Sequence, residues 1–423
     1  MIKASICTIG DEILIGQVVD TNSSHIATAF EENGIRISRM VSIGDDKDAI
    51  YSQLQRELTE NDLVVTTGGL GPTKDEITKS VLSRLSGSTS YVENTHQLDI
   101  IRRLLHSRGL DILPGNRSQA LVPDRCEVIP NEQGTAPVMV FRFLPGRFGH
   151  AVTLYALPGV PHEVTGVLPA VLEDIKAHSS LTDICHRNLM VYGLAESALS
   201  ERIAPWENAL PDDIHLAYLP DTLTGIRLRL SIYSGDADDE QVRIDKEVEK
   251  LKALLGDLVY SDQDDTLEDT VGRLLKRAGK TLSAAESCTG GEISHLITSV
   301  SGSSAYYLGS VTSYAVTIKE KVLGVPAETI ETYGVVSSEV AAAMAEGVRA
   351  LTGSDYAVAT TGLAGPGGDA FHPVGTVWIG VTGPHGTQTL QCRFQNDRKR
   401  NIERFAASAL DFLRKYIIED LNQ

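Results

Sequence analysis

The sequence predicts an α/β protein in three parts: an α/β domain over 1–174, a small α+β segment over 182–262, and a second α/β domain over 266–423. Three observations predict this. The chain has 423 residues, more than one ordinary core holds, so two or three domains are expected. Both ends alternate short apolar runs with helix-length amphipathic runs, the pattern of βαβ units and a mostly parallel sheet. A short acidic run, Ser261-Asp262-Gln263-Asp264-Asp265, separates the middle from the last part.

In the first part, residues 4–10 read as a strand, 23–34 as a helix ending at Gly34, and 36–44 as a strand. A helix over 46–61, a strand over 62–69 and a helix over 75–87 follow. Ligands of such sheets lie beyond the C-terminal strand ends. Those ends carry Gly10-Asp11-Glu12 and Gly68-Gly69-Leu70-Gly71-Pro72-Thr73. The middle part reads as short strands with helices. Its helix over 236–256 places Val242, Ile244, Val248, Leu251 and Leu255 on one apolar stripe.

In the last part, 280–287 reads as a strand, 288–300 as a helix, 304–315 as a strand and 317–324 as a helix. Residues 338–353 form a helix, 355–368 a strand running into a glycine-rich loop, and 375–383 with 386–394 a hairpin. The final helix gathers Ile402, Phe405, Ala406, Ala409, Phe412, Leu413 and Ile417 on one face.

Composition excludes several function classes. A formal net charge of -18 repels nucleic acid and anionic membranes, so neither is an expected partner. The five cysteines are scattered without CxxC spacing. This argues against a disulfide framework or a thiolate zinc site and fits a reducing, cytoplasmic setting. No apolar run reaches spanning length, and no signal peptide is expected at the start.

Chemistry-bearing residues gather at two places. Ala285-Glu286-Ser287-Cys288-Thr289-Gly290-Gly291 sits where a strand hands over to a helix, with Ser287 and Cys288 both potential nucleophiles. The amides near Gly290 and Gly291 would face an oxyanion. The plain alternative is a helix cap beside a small buried cysteine. Tyr314 ends a strand, and Lys319 follows; a Lys losing solvent becomes a base. Thr361 opens a loop carrying Gly365 and Gly367, whose bare backbone suits a phosphate. Arg398 and Arg404 begin the last helix, as phosphate ligands or solvated charges. In the first part, Asp11, Glu12, Asp75 and Glu76 would form a carboxylate cluster for Mg²⁺ or Mn²⁺, or simply complement helix N-termini.

These motifs resemble the CinA family. Ala285–Gly291, Ser313-Tyr314 with Lys319, Leu323-Gly324-Val325, Gly334–Ser337, Thr361–Gly368 and Pro373–Val377 match its C-terminal domain in order. The resemblance implies a nicotinamide mononucleotide deamidase. Ser287 would be the nucleophile, Lys319 its base, Tyr314 and Thr361 supports, and Arg398, with Cys288, Gly290, Gly291, Gly365 and Gly367, the substrate site. No cofactor is implied there. One departure is Ala315-Val316, where relatives carry Asn. Gly10–Leu14, Asp20–Ser23, Thr67–Asp75, Leu113–Asn116, Gly134–Pro137 and Leu157–Pro161 with Glu163 resemble the family's N-terminal domain. That implies a molybdopterin-binding-like three-layer fold and a metal-dependent ADP-ribose pyrophosphatase. Its nucleotide site would hold Asn22, Gly68, Gly69, Gly71 and Thr73, and its metal Asp11, Glu12, Asp75 and Glu76. Departures are Glu76 for a second Asp and Val138 for Gly. The middle part stands where relatives carry a KH-like domain. It lacks a clear GxxG loop, so a spacer or homodimer role is expected rather than RNA binding. Two alternatives stay open: an amidase with a non-catalytic nucleotide- or molybdopterin-binding first domain, and a binding protein without catalysis.

Overall fold

The structure is a computed structural model describing residues 2–71, 77–179, 181, 184–233, 237–395 and 397–422. It divides into two compact units, Met1–Cys185 with Tyr233–Glu240, and His186–Ile232 with Gln241–Gln423.

The first unit opens with β1 (Ile2–Ile9), the single turn α1 (Asp11–Leu14), α2 (Thr21–Glu31), β2 (Ile35–Ile43), α3 (Lys47–Glu60) and β3 (Leu63–Thr67). These are the expected βαβ units, with β1 parallel to both β2 and β3. Next come α4 (Thr78–Ser86), β4 (Tyr91–Glu93), α5 (Thr95–Ser107), α6 (Pro114–Gln119) and β5 (Leu121–Pro123). The remainder is β6 (Glu127–Ile129), β7 (Val138–Phe143), α7 (Pro145–Phe148), β8 (Val152–Leu157) and α8 (Pro161–His178). The main sheet runs β2-β1-β3-β8-β7-β6. Helices cover both faces, which makes three layers. Ile26, Phe30, Val164 and Val171 of α2 and α8 are buried on one side. Ile50, Leu54, Leu58, Val81 and Leu85 of α3 and α4 are buried on the other. Double cover explains why β3 is apolar or buried at every position instead of alternating.

Two expectations need correction here. The domain does not stop at residue 174: α8 continues to His178. Asp174 accepts from Arg142 at 2.8 Å and from the Tyr155 hydroxyl at 2.7 Å, so that turn belongs to the sheet's cover. The helix expected from Asp75 is helical from Thr78, and Asp75 and Glu76 lie outside the described residues. Val138 is fully buried in β7.

Next in the chain come β9 (Cys185–Val191), α9 (Glu196–Glu207), β10 (His215–Asp221), β11 (Gly225–Ile232), α10 (Ala237–Leu255) and β12 (Val259–Ser261), with a sheet of order β10-β11-β9-β12. Ile244, Val248, Leu251 and Leu255 are buried as expected, but Val242 is 66% exposed. It lies two residues before Ile244, about 200° around the helix.

The chain continues through α11 (Leu267–Ala278), β13 (Leu282–Glu286), α12 (Glu292–Ser299), β14 (Tyr307–Thr312), α13 (Val316–Lys321), α14 (Ala327–Tyr333) and α15 (Ser338–Thr352). It ends with β15 (Tyr356–Gly362), β16 (Thr376–Gly383), β17 (Gly386–Arg393) and α16 (Arg398–Leu421). Strand order is β14-β13-β15-β16-β17, parallel across β14, β13 and β15 and antiparallel beyond. α15 covers one face, with Val340, Met344 and Val348 buried. α11, α12 and α16 cover the other, with Val271, Leu275, Ile297, Phe405, Leu413 and Ile417 buried. Each such side chain contributes about 1.5–3 kcal/mol relative to exposure. The middle sheet shares this core: Met190 and Tyr260 belong to it, and Arg414 donates to the Asp257 carbonyl at 2.8 Å.

Candidate active site

β13 is buried at all five positions and ends on Glu286. The chain then turns sharply through Ser287–Gly291 before α12. Gly290 and Gly291 hold φ of +65° and +112° there, conformations that side-chain-bearing residues avoid. Glu286 closes this turn. Its carboxylate is fully buried and accepts from the amides of Gly291 (3.0 Å), Ile293 (3.1 Å) and Ser294 (2.9 Å), and from the Ser294 hydroxyl (2.5 Å). It therefore satisfies the amides that open α12.

The expected oxyanion role of the Gly290 and Gly291 amides does not survive this arrangement. The Gly291 amide is spent on Glu286, and the Gly290 amide donates to the Ser287 carbonyl at 3.2 Å. Neither glycine lines the pocket. Among the described residues no backbone carbonyl accepts from the Cys288 amide.

Ser287 and Lys319 do come together. The Ser287 amide donates to the Thr360 carbonyl at 3.1 Å, fixing the turn to β15. Lys319 is completely buried. Its Nζ lies 2.9 Å from Ser287 Oγ, 2.5 Å from the Ser313 carbonyl and 3.5 Å from the Tyr314 carbonyl. The Ser313 amide donates in turn to the Glu286 carbonyl at 2.8 Å. Burial holds the Lys319 amine below the ordinary lysine value of 10.5, because desolvation penalises the charged form. Cys288 packs in the core with Leu282, Ile293 and Val358. Burial pushes its thiol up to about 12, so it stays protonated and a poor nucleophile.

The other expected residues have distinct places. The Thr361 hydroxyl donates to the Val335 carbonyl at 2.7 Å and ties down the neighbouring loop. The Tyr314 side chain is 65% exposed, at the rim rather than beside the dyad. Its hydroxyl accepts from Arg398 at 3.2 Å, and Arg398 also donates to the Gly365 carbonyl at 2.5 Å. Arg404 does not reach the pocket; its guanidinium lies over the Phe394 ring, 5.0 Å from the centroid. Ala315 is the N-cap of α13 and offers it no side-chain acceptor. Ser287, Cys288, Lys319, Thr361, Gly365, Gly367 and Arg398 line one pocket of about 290 Å³, with Val335, Val336 and Leu363 as apolar wall. That is near the small end of the ~300–1,000 Å³ usual for ligand clefts.

Sequence reasoning passed over Glu286. An acidic residue before a helix reads as an ordinary match to its dipole. The available signal was a carboxylate ending a short strand of small and apolar residues, Leu282–Glu286, where charge is rarely buried unless bound.

In the first unit, Thr8, Glu12, Asp20, Asn22, Thr67, Gly68 and Gly159 line a smaller pocket of about 90 Å³. Asn22 donates to Thr67 Oγ1 at 3.0 Å and to the Gly159 carbonyl at 2.8 Å. Gly68 and Gly69 are needed by the protein's own packing: a Cβ there would lie 2.2 Å from the Ile9 carbonyl and 1.9 Å from the Thr78 hydroxyl. Gly71 is described but does not line this pocket. Asp11 accepts from the Asp45 amide at 3.1 Å, and Asp11 and Glu12 are exposed. No group of three or more metal-ligating side chains occurs among the described residues. Thr73, Asp75 and Glu76 lie outside them.

Comparison with known proteins matches these parts in order. Residues 5–177 match the probable molybdopterin binding domain family, 186–261 the KH domain of damage-inducible protein CinA, and 264–417 the CinA C-terminal domain. The chain is 41% identical over 420 residues to a CinA-like protein of Cytophaga hutchinsonii, covering 99% of each. It is 40% identical over 424 residues to one of Flavobacterium psychrophilum, covering 100% of each, and 38% identical over 419 residues to one of Salinibacter ruber, covering 98% of this chain and 99% of that one. No helix among the described residues is long and apolar enough to cross a membrane. With relatives this similar along nearly their whole length, and all three domain families in register, the chain belongs to the CinA-like protein family.

Proposed function

We propose that the C-terminal domain hydrolyses the carboxamide of nicotinamide mononucleotide, giving nicotinate mononucleotide and ammonia. The observation that carries this reading is the 2.9 Å approach of the buried Lys319 amine to Ser287 Oγ. A neutral lysine has two N–H groups and one lone pair. The two N–H groups stay on the Ser313 and Tyr314 carbonyls, and the lone pair then faces Ser287. As Ser287 Oγ attacks the carboxamide carbon, Lys319 takes its proton. The C–N bond breaks as that proton passes to the leaving ammonia, and water hydrolyses the acyl-serine. The Cys288 amide is the donor nearest in sequence for the developing oxyanion. The Val335–Val336–Leu363 wall suits a pyridine ring, and Arg398 suits a phosphate, for which it would exchange its Tyr314 and Gly365 contacts. No metal takes part. Ammonia release from nicotinamide mononucleotide, unaffected by EDTA, is the expected result; no release from folded protein overturns the reading.

For the N-terminal domain we propose cleavage of ADP-ribose to AMP and ribose 5-phosphate with a divalent metal of the Mg²⁺ or Mn²⁺ type. Membership of the family and the pocket around Asn22 and Gly68 support it. On this reading the metal's ligands are the carboxylates expected from the sequence, Asp11, Glu12, Asp75 and Glu76. EDTA-sensitive AMP release is the expected result.

A further inference from the structure

We propose that Asp369 reads the ribose hydroxyls of the mononucleotide and makes the pocket selective for an unphosphorylated 2′,3′-diol. This rests on the deamidase reading and specifies its substrate class.

Asp369 is the one carboxylate among the residues lining the pocket. Its Oδ1 accepts from the Phe371 amide at 2.8 Å and the His372 amide at 2.6 Å, and His372 Nδ1 stands 3.4 Å from the same oxygen. Among the described residues no hydrogen bond falls on Oδ2. One oxygen thus anchors the loop in an Asx turn, and the other keeps its acceptor capacity. The backbone amides of Phe371 and His372 hold this carboxyl below the usual carboxylate range, so it is an anion at neutral pH.

The pocket has depth. Lys319 is fully buried at its floor, whereas the Asp369 side chain is 41% exposed at its mouth. Arg398 docks on the carbonyl of Gly365, in the loop that carries Asp369. With the carboxamide held at Ser287 and the phosphate at Arg398, the ribose joins them along that loop. A carboxylate accepts hydrogen bonds only. It matches vicinal hydroxyls, which donate, and repels a phosphate placed on either of them.

The test uses full-length protein carrying Ser287→Ala, so that binding is measured without turnover. Calorimetry compares nicotinamide mononucleotide with its 2′-phosphorylated and 2′-deoxy analogues, with and without Asp369→Asn. Asn keeps Oδ1 for the two amides and removes the charge and the free acceptor. With Asp369 intact, the parent nucleotide is expected to bind at least 100-fold tighter than the 2′-phosphate and at least tenfold tighter than the 2′-deoxy compound. With Asp369→Asn both ratios are expected to fall at least tenfold. Unchanged ratios overturn the role of Asp369 and leave the deamidase reading standing. No binding of any of the three, from folded protein that also releases no ammonia as wild type, overturns the deamidase reading itself and the proposal with it.

Discussion

In the C-terminal sheet, the chain leaving β13 and β14 and the end of β15 deliver Ser287, Lys319 and Thr361 to one pocket. In the N-terminal sheet, β1, the start of α2 and β3 deliver Thr8, Asp20, Asn22 and Thr67, and these side chains are largely spent on one another. Asp20 Oδ2 accepts from the Thr8 and Ser23 hydroxyls, each at 2.6 Å, and its Oδ1 takes the Ser23 amide. Burial pushes the Asp20 carboxyl up, but hydrogen bonds from Ser23 and Thr8 outweigh it and hold the group below the usual range. Lys319 is buried against carbonyls and a hydroxyl and makes no ion pair among the described residues, so its desolvation outweighs the weaker opposing influence of Cys288. Two crevices of similar topology thus differ in whether a charge is satisfied, and only the unsatisfied one is poised to move a proton.

The largest expected effects break the dyad. Ser287→Ala is expected to lower ammonia release at least ~10³-fold without loss of fold. Lys319→Met is expected to lower it about as far, since the two act as a unit. The lysine's lowered value also sets two pH trends. Activity should rise with pH through that value as the amine becomes neutral, on a limb lying below 10.5. Between that limb and 10.5 the unfolded chain binds a proton that the folded chain does not, so stability falls as pH drops across this window. Lys319→Met removes that loss, and its Tm near neutral pH should equal or exceed that of wild type. A lower Tm there would show that Lys319 is a paired, stabilising charge like those of the N-terminal crevice.

Glu286 comes next. All its backbone partners are donors, so Glu286→Gln must turn an NH₂ toward one of them and loosen the turn that carries Ser287. The expected result is a fall of roughly 10–100-fold in kcat with KM changed far less, the mark of lost positioning. Equal losses in kcat and folded yield would reduce Glu286 to a helix cap.

How much of this was legible follows from the physics of each signal. Short apolar runs and period-3.6 patterning marked the strands and helices of both α/β domains; of the stripe on the final helix, Phe405, Ala406, Ala409, Leu413 and Ile417 are buried as read, and Ile402 and Phe412 are half-buried. Ser287, Lys319 and Arg398 stood out because their spacing resembles a known family. Arrangements set by long-range closure were not legible. That Glu286 would consume the Gly291 amide depends on a turn whose shape two glycines decide. That Tyr314 would point outward while its carbonyl takes Lys319 depends on α13 starting two residues later. Asp369 carried no signal at all, since its place on the pocket wall comes from how the 363–376 loop folds back.

A smaller effect sharpens the comparison from the N-terminal side. Asp20→Ala removes the N-cap acceptor of α2 and is expected to cost about 1 kcal/mol of stability, leaving ammonia release intact. The stabilising share of this carboxylate is present above the ordinary carboxyl range and is lost as pH falls through its lowered value. The difference between Asp20→Ala and wild type should therefore shrink in acid. A difference independent of pH would mean that the cap acts through packing alone.

The smallest expected effect concerns the residue beside the nucleophile. Cys288 is 6% exposed and belongs to the same buried core as Leu282, Ile293 and Val358. Its thiol, pushed up to about 12, holds almost no thiolate at neutral pH, and thiolate is the form that attacks. Cys288→Ala removes one buried sulfur and leaves the Cys288 backbone amide in place. Ammonia release should fall less than about tenfold, with a stability cost on the order of 1 kcal/mol from the small cavity. Ser287→Ala in the same assay loses everything if the hydroxyl is the nucleophile. Should the two variants exchange places, with Cys288→Ala inactive and Ser287→Ala active, the thiol would be the attacking group. Lys319 would then be drawing its proton from the second residue of the turn rather than the first.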